Sequence, residues 1–283
     1  WNKQTSEENF IAMIFQNDVE HYISNLTKNY DKNELLLVIQ TTLASLLVAM
    51  LVHHDRAFNI LKTFVHEFLG MSLMVCCVFL PGPLFGHTWI YEWTLHALAI
   101  IASDRIAGGP LVNPAVSHAM MWWRKLSIFE CASLIGAQLL GAIVGYPITE
   151  MLVKFLRPSA FVGGPEFDLN MVTPIDAFAN EFAAFALLLC AIFGFCCTSL
   201  NHWYYLRQSL LALSIRFIVV LYPRTGPAMN PALGTVWVFY SVGHLPSDLV
   251  HYTTYWMAPF LSGVFVTLLW SAATKSGIFS GGL

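Results

Sequence analysis

Long apolar stretches, separated by short polar connectors, run through most of this sequence. At a rise of about 1.5 Å per residue, a helix of roughly twenty residues crosses the ~30 Å hydrocarbon core of a bilayer. The pattern predicts seven candidate membrane spans: Leu35–Val52, Ile60–Leu80, Trp89–Ala102, Ile128–Val153, Ile175–Leu200, Ser209–Tyr222 and Tyr252–Ala273. We therefore expect an all-α, multi-pass integral membrane protein.

Composition and charge narrow the function further. Of the 283 residues, 57% are hydrophobic and 11% are charged, and a net charge of −3 with scattered Lys and Arg offers no surface for nucleic acid. The six cysteines form no CxxC pair, and the sequence contains no Ser/His/Asp order, phosphate-binding loop or metal-ligand spacing. We therefore predict a protein that is not an enzyme and that binds no metal, cofactor or nucleic acid.

The chain divides into three parts. Residues 1–33 form a polar N-terminal tail, residues 34–55 contain the first apolar stretch as an extra N-terminal hydrophobic helix, and residues 56–283 form the main membrane domain. Asn25-Leu26-Thr27 in the tail matches the sequon for N-glycosylation. The extra helix is expected to span the membrane, and the alternative is a helix that lies on the membrane surface or packs against the protein.

The main domain contains an internal repeat, with a first copy at residues 56–156 and a second copy at residues 174–275. Each copy carries three spans, a glutamate early in its first span and one Asn-Pro-Ala triplet. These residues are Glu67 with Asn113-Pro114-Ala115 and Glu181 with Asn230-Pro231-Ala232. Because the number of spans in each copy is odd, the second copy enters the membrane from the opposite side. The sequence thus predicts an inverted repeat in which the two triplets meet at the bilayer centre.

Each triplet predicts the start of a half-helix. Only about ten residues separate it from the next polar stretch, which is half the length that a membrane span needs. Asn is a favoured N-cap and Pro a favoured first helical residue, so Asn113 and Asn230 are expected to cap these helices. If each amide oxygen accepts a backbone N–H, both hydrogens of each NH2 group are free to face the space between the helices. Such donors, together with two positive helix ends, predict a centre that repels cations and breaks a chain of water molecules.

These motifs resemble those of the major intrinsic proteins, the aquaporins and aquaglyceroporins. The resemblance covers about residues 58–274 and rests on NPAVS from Asn113, NPALG from Asn230, Glu-Phe at Glu67 and Glu181, AQLLGAIVG from Ala137 and HYTTYWMAPFLSG from His251. It implies six tilted helices and two half-helices around a pore in each subunit, usually assembled as a homotetramer. The extra N-terminal helix departs from this pattern, and NPAL resembles the unorthodox, superaquaporin-like branch.

The resemblance also assigns roles to individual residues. It implies that Glu67 and Glu181 brace the two re-entrant loops and that four residues, counted from the triplets, form a selectivity filter. These four residues are Trp93, Ile218, Pro227 and Leu233. Ordinary members have Arg at the last of these positions, and water-selective members also have His in the ring. An apolar ring restores few of the hydrogen bonds that a solute loses on entry, so it either dewets or passes uncharged, partly apolar solutes.

Three polar side chains near the filter have alternative interpretations. Arg216 lies two residues before Ile218, about 200° away around a helix, and is expected to pair with a carboxylate or a carbonyl group. A different register of the span would instead place Arg216 in the filter as the missing cation. His96 and His118 are expected to be packed and hydrogen-bonded rather than to act as gating groups.

The leading hypothesis is a passive transmembrane channel for water or small uncharged solutes, with protons excluded at the paired triplets. Its partners would be the permeating molecule and membrane lipid, and it would form a homotetramer or belong to a larger membrane complex. The alternative is a structural subunit of a larger membrane assembly, with an aquaporin fold that conducts poorly or not at all.

Overall fold

The computed structural model describes residues 54–85 and 89–275, and every regular element within these ranges is helical. In chain order the helices are α1 (His54–Phe79), α2 (Pro81–Phe85), α3 (Trp89–Ala107), α4 (Pro114–Trp122), α5 (Ile128–Leu156), α6 (Pro174–Cys196), α7 (Tyr204–Leu221), α8 (Pro231–Val242), α9 (Leu249–Tyr252) and α10 (Ala258–Lys275). A π-helical turn, Thr253–Met257, joins α9 to α10. The prediction of an all-α protein is confirmed.

Five helical segments in the described part of the chain are long and apolar enough to cross a bilayer. They are Asn59–Leu84, Ile128–Leu156, Pro174–Cys196, Tyr204–Leu221 and Leu249–Lys275. The 19-residue α3 has the length of a span, but its charged residues Glu92, Asp104 and Arg105 lower its mean hydropathy. The six predicted spans in this range all overlap helices, although Ile175–Leu200 runs past the end of α6 at Cys196. The predicted span Leu35–Val52, the tail and its sequon lie outside the described residues.

Three helices extend by five or six residues beyond the apolar stretches that predicted them. α1 begins at His54 rather than at Ile60. α3 continues past Ala102 to Ala107, and α7 begins at Tyr204 rather than at Ser209. Hydropathy marks only the part of a helix that lies in hydrocarbon, whereas backbone hydrogen bonding continues into the polar interface. The additional turns therefore carry charged residues such as Asp104.

Two glycines allow α5 to approach the backbone of α1. A Cβ atom at Gly141 would lie 2.5 Å from the backbone oxygen of Phe68, and one at Gly145 would lie 2.6 Å from that of Ser72. The close approach also lets the Ser72 hydroxyl donate a hydrogen bond to the backbone oxygen of Gly141 at 3.0 Å. Small residues at helix contacts permit such packing inside a membrane, where the hydrophobic effect does not drive helices together.

Each half-helix packs against helices from both halves of the chain. α4 contacts α5 and α10, while α8 contacts α5 and the π-helical turn. Buried side chains of α4 form one apolar cluster with α6 and α7, and those of α8 form a second cluster with α1 and α5. This packing holds both half-helices so that their first residues, Pro114 and Pro231, are buried inside the bundle.

Large apolar side chains cover the outside of the bundle. Phe129, Phe155 and Ile175 are 71%, 81% and 81% exposed. A soluble monomer rarely exposes large contiguous apolar surfaces, whereas lipid tails provide an apolar environment for such side chains. The surface is therefore that of an integral membrane protein.

Candidate functional site

The two asparagines of the triplets are the N-caps of α4 and α8. In Asn113-Pro114-Ala115 and Asn230-Pro231-Ala232, the asparagine side-chain oxygen accepts a hydrogen bond from the alanine N–H, at 2.9 Å and 3.0 Å. The prolines occupy the first helical turn, where an N–H group has no partner within the helix. The capping predicted from the sequence is confirmed.

The same asparagines also bind the opposite loop. The Nδ2 atom of Asn113 donates a hydrogen bond to the backbone oxygen of Met229, and that of Asn230 donates one to the backbone oxygen of Val112, both at 2.8 Å. An amide group has two hydrogens, so one N–H of each asparagine is used here and one is left for other partners. The expectation that both hydrogens are free to face the space between the half-helices is therefore wrong.

Val112 and Met229, the residues before the two asparagines, have left-handed backbone conformations. Their φ angles are +48° and +49°. Such angles are uncommon for residues other than glycine, and they are outliers for a β-branched residue such as Val112. In each loop, consecutive backbone N–H groups are thereby directed toward a buried glutamate.

Each of these glutamates accepts hydrogen bonds from two consecutive backbone N–H groups. The oxygens of Glu67 lie 2.6 Å and 2.9 Å from the backbone nitrogens of residues 111–112. The oxygens of Glu181 lie 2.9 Å and 3.0 Å from the backbone nitrogens of residues 228–229. Both side chains are fully buried, at 2% and 0% exposure. The two carboxyl groups therefore tie the loops to α1 and α6.

Polar side chains also donate hydrogen bonds to both buried glutamates, Glu67 and Glu181. Gln138 of α5 donates a hydrogen bond to Glu67 at 2.8 Å. The hydroxyl of Thr225 donates to Glu181 at 3.0 Å, and the hydroxyl of Tyr255 donates to the backbone oxygen of Thr225 at 2.7 Å. Sequence reasoning assigned none of these three donors to a carboxyl site, although a polar side chain inside an apolar span, such as Gln138, is a signal for such a role.

A cavity of about 400 Å³ begins at the starts of the two half-helices. Asn113 and Asn230 form part of its wall, and at its far end it reaches Asp104 and Arg207. Residues spaced three or four apart on two helices form its long sides: His96, Ile100 and Ser103 of α3, and Gln208, Leu211 and Ile215 of α7. Because a water molecule occupies about 30 Å³ in the liquid, the space holds several molecules of that size.

Of the four residues expected in the filter, Leu233 lines this cavity, whereas Trp93, Ile218 and Pro227 do not. Leu233 and Ile218 are buried in separate apolar clusters. Trp93 lies three residues before His96 on α3, and Ile218 lies three residues after Ile215 on α7. Both therefore lie one turn further along the helix faces that line the cavity. The cavity therefore ends next to Leu233, before the level at which Trp93 and Ile218 lie.

Arg216 and His96 lie on neighbouring helices near this end of the cavity. Arg216 of α7 is half-buried and interacts electrostatically with Glu92 and His96 of α3. Glu92 is thus a carboxylate near Arg216, and the expected pairing stays a prediction. His96 is 3% exposed and lines the cavity, yet neither ring nitrogen has a hydrogen-bond partner. His96 is therefore packed, as expected, with the Cys77 backbone beside its ring.

His118 of α4 lies outside this cavity. Its Nε2 atom accepts a hydrogen bond from the Trp122 indole at 3.1 Å, and its ring stacks on that of Phe260 with centroids 4.4 Å apart. Within residues 54–85 and 89–275, no group of three or more His, Cys, Asp or Glu side chains is placed to hold a metal ion.

Comparison with known proteins connects this geometry to a family. A family model described as "Major intrinsic protein" matches residues 58–270. Lens fiber major intrinsic protein from Oryctolagus cuniculus is 25% identical over 214 residues, which cover 71% of this chain and 73% of that protein. Probable aquaporin TIP-type alpha from Phaseolus vulgaris is 25% identical over 224 residues, which cover 75% of this chain and 82% of that protein.

A solved structure has the same fold. The X-ray structure of the aquaglyceroporin from Plasmodium falciparum superposes with a TM-score of 0.61 at 20% sequence identity, covering 76% of this chain and 95% of that chain. The family model spans most of the chain, including both triplets, both buried glutamates and the cavity between them. The chain therefore belongs to the major intrinsic protein family, whose members are passive membrane channels and not enzymes.

Proposed function

We propose that this protein is a passive channel for water or small uncharged solutes and that it excludes protons and other cations at Asn113 and Asn230. Its family and its apolar helices make it an integral membrane channel for water or small solutes. The main support for the exclusion of protons and other cations is the position of the two asparagine side chains. Both cap a half-helix, both are bonded to the opposite loop, and both form part of the wall of the central cavity.

The capping bond determines which atoms a molecule in the cavity can meet. Because each amide oxygen already accepts a backbone N–H, the remaining polar function of each side chain is one N–H donor. A water molecule bound by both asparagines accepts two hydrogen bonds and directs its own hydrogens away from the centre. Water molecules on the two sides then point in opposite directions, and a proton cannot pass along them.

The ends of the half-helices add an electrostatic barrier. α4 and α8 both begin at the asparagines, and each helix N-terminus carries roughly half a positive charge. Cations that approach this point are repelled, while uncharged molecules are not. The proposed exclusion of protons and cations therefore depends on both the donors and the helix ends.

The proposed filter consists of Trp93, Ile218, Pro227 and Leu233, whose side chains offer a single indole N–H as a fixed donor. An entering water molecule recovers few hydrogen bonds in such a ring, which favours solutes with some apolar surface. The position of Leu233 at the end of the cavity supports this proposal, as does the placement of Trp93 and Ile218 on the lining faces of α3 and α7.

A test uses osmotic shrinkage of proteoliposomes, followed by stopped-flow light scattering. We expect wild-type protein to accelerate shrinkage over empty liposomes and Asn230→Asp to remove most of that gain, because a carboxylate has no donor for the pore. Asn170→Asp is the matched control, since Asn170 is exposed in the connector before α6. Wild-type shrinkage as slow as in empty liposomes, from folded protein, would refute water conduction.

The cavity also supports a second candidate function. Trp93, Ile218 and Pro227 do not line it, which favours a path closed at the filter, as in a structural subunit of a larger membrane assembly. Permeability to water and to uncharged solutes separates the two candidates, since a structural subunit conducts neither. We further propose a homotetramer, as the family resemblance implies, and native mass spectrometry of the purified protein measures the number of subunits.

A further inference from the structure

We propose that Arg207 makes the entrance of the cavity at the end opposite the filter positive, so that cations are repelled there. This inference rests on the proposed function as a passive channel and adds a specificity-determining residue to it. It begins from the distribution of charge along the pore. The four proposed filter residues carry no charge, whereas the far end of the cavity carries two charged side chains.

Arg207 of α7 lines the far end of the cavity. Among the described residues of the cavity wall, it is the one Lys or Arg side chain, and Asp104 of α3 is the one carboxylate. Both side chains are partly exposed, so solvent reaches this end of the cavity. A charge at such an entrance acts on each ion that approaches, because the low-dielectric walls of a cleft concentrate its field.

Neighbouring groups hold the Arg207 guanidinium in place. It donates a hydrogen bond to the side chain of Asn201, and it lies 5.2 Å from the ring centre of Tyr204, within the range of a cation–π contact. The Tyr204 hydroxyl in turn donates a hydrogen bond to Asp104 at 2.5 Å, which ties that ring to α3. The positive charge therefore has a defined position at the entrance.

The charged side chains around this entrance are mainly positive. Among the described residues, no carboxylate oxygen lies within 4 Å of an Arg207 nitrogen, so Asp104 does not pair with it directly. Lys125 interacts electrostatically with Cys197 of the wall, and Arg105 lies 3.8 Å from the ring centre that Arg207 also contacts. Three cationic side chains therefore surround an entrance that holds one carboxylate.

A positive entrance separates ions by sign before they reach the centre of the pore. It lowers the local concentration of cations, as a fixed arginine does in other pores, and leaves uncharged molecules unaffected. This repulsion adds to that of the two helix ends at Asn113 and Asn230. Because salt screens exposed charges over about 10 Å at 0.1 M ionic strength, the repulsion weakens as salt is added.

The test measures the sign of the charge with thiol reagents. Cys196 and Cys197 line the same end of the cavity, and Cys196 interacts electrostatically with both Arg207 and Asp104. The purified full chain in detergent is treated with anionic sulfonatoethyl or cationic trimethylammonioethyl methanethiosulfonate, and mass spectrometry follows modification of the two cysteines. Each rate is divided by that for free 2-mercaptoethanol. The ratio of the two rates then reports local charge, because both reagents attack the same thiols.

We expect the normalised ratio of anionic to cationic rates to exceed one in the wild-type protein and to fall about fivefold in Arg207→Gln at low salt. Arg207→Lys keeps the charge and should stay within about twofold of wild type. The wild-type ratio should itself fall toward one as salt is raised, so the test does not depend on a variant that folds.

Arg224→Gln is the matched control for net charge. Arg224 pairs with Asp176 in the first turn of α6, whereas Cys196 ends that helix, about 30 Å away along its axis. The variant loses the same charge as Arg207→Gln but should leave the ratio unchanged. Uncharged methyl methanethiosulfonate measures access to the two cysteines without regard to charge.

Three outcomes would overturn the inference: a wild-type ratio of one or less, an unchanged ratio in Arg207→Gln, or an equal fall in Arg207→Lys. Failure of the uncharged reagent to modify Cys196 or Cys197 would also overturn it, because solvent would then not reach the entrance. If the ratios behave as expected but the wild-type protein conducts neither water nor uncharged solutes, the proposed channel function fails while the positive entrance stands.

Discussion

The side-chain nitrogen of Asn113 lies 2.8 Å from the backbone oxygen of Met229, the residue directly before Asn230. Asn230 makes the equivalent bond to Val112, so each half-helix cap also holds the loop that carries the other cap. A change at one asparagine is therefore expected to affect both halves of the site. This coupling leads to the first of four predictions.

Asn113→Ala should destabilise the protein more than the loss of an ordinary cap does. The substitution removes the cap of α4 and the bond to the opposite loop, and it leaves a buried N–H and a buried carbonyl group unpaired. We expect a cost of about 2–4 kcal/mol in the free energy of unfolding. Thermal unfolding in detergent measures it, with Thr173→Ala as the control because Thr173 caps α6 at an exposed position. Equal losses for both variants would contradict the coupling.

Glu181→Gln should weaken the attachment of the loop before α8, since the amide keeps one acceptor oxygen but presents an NH2 group to a backbone N–H. We expect a cost of about 3 kcal/mol, because one accepting bond is lost and a buried donor is left unpaired. Glu150→Gln provides the comparison. It removes an ion pair with Lys154 at the surface, where such pairs contribute less than about 1 kcal/mol. A melting temperature that is equal for the two variants would argue against bracing by Glu181.

Gly145→Ala should separate α1 from α5. The new methyl group would lie 2.6 Å from the backbone oxygen of Ser72, so the helices must move apart at a cost of about 1–3 kcal/mol. Gly163→Ala introduces the same methyl group where no atom lies within 4 Å and should be nearly neutral. The two melting temperatures provide the measurement, and a neutral Gly145→Ala would show that this contact can relax.

Leu233→Ala should widen the end of the cavity that leads to the proposed filter. We expect permeability to water and small uncharged solutes to rise several-fold, together with a loss of about 2–4 kcal/mol in stability. Val236→Ala is the control, because Val236 belongs to the same apolar cluster but does not line the cavity. It should lower stability without raising permeability. Unchanged permeability in Leu233→Ala would place the narrowest point elsewhere.

Several features of the site could be predicted from short segments of sequence. Asn113 and Asn230 were identifiable as caps, since capping depends on an Asn-Pro pair and on backbone groups within the next turn. The buried glutamates were identifiable because a carboxyl group within an apolar span needs nearby donors. Hydropathy located the six spans of the described region but misplaced the ends of α1, α3 and α7, where helices continue into polar surroundings.

Other features depend on contacts between distant parts of the chain. The second hydrogen bond of each asparagine joins residues more than one hundred positions apart, and sequence reasoning therefore left both hydrogens free. Whether the ring nitrogens of His96 have partners depends in the same way on the helices around it. The partners of Glu67 and Glu181 beyond the loop backbone, such as Gln138, were missed for the same reason.

The sequence by itself determined the all-α membrane class, the places where the half-helices begin and the residues that cap them. These properties follow from hydropathy, chain length and hydrogen bonds between neighbouring residues, all of which are local. Tertiary structure alone decided which amide hydrogens remain for the cavity, that Leu233 but not Trp93 lines it, and that His96 forms part of its wall. Such properties depend on the distances between helices that the packing of their side chains sets, and no single segment contains that information.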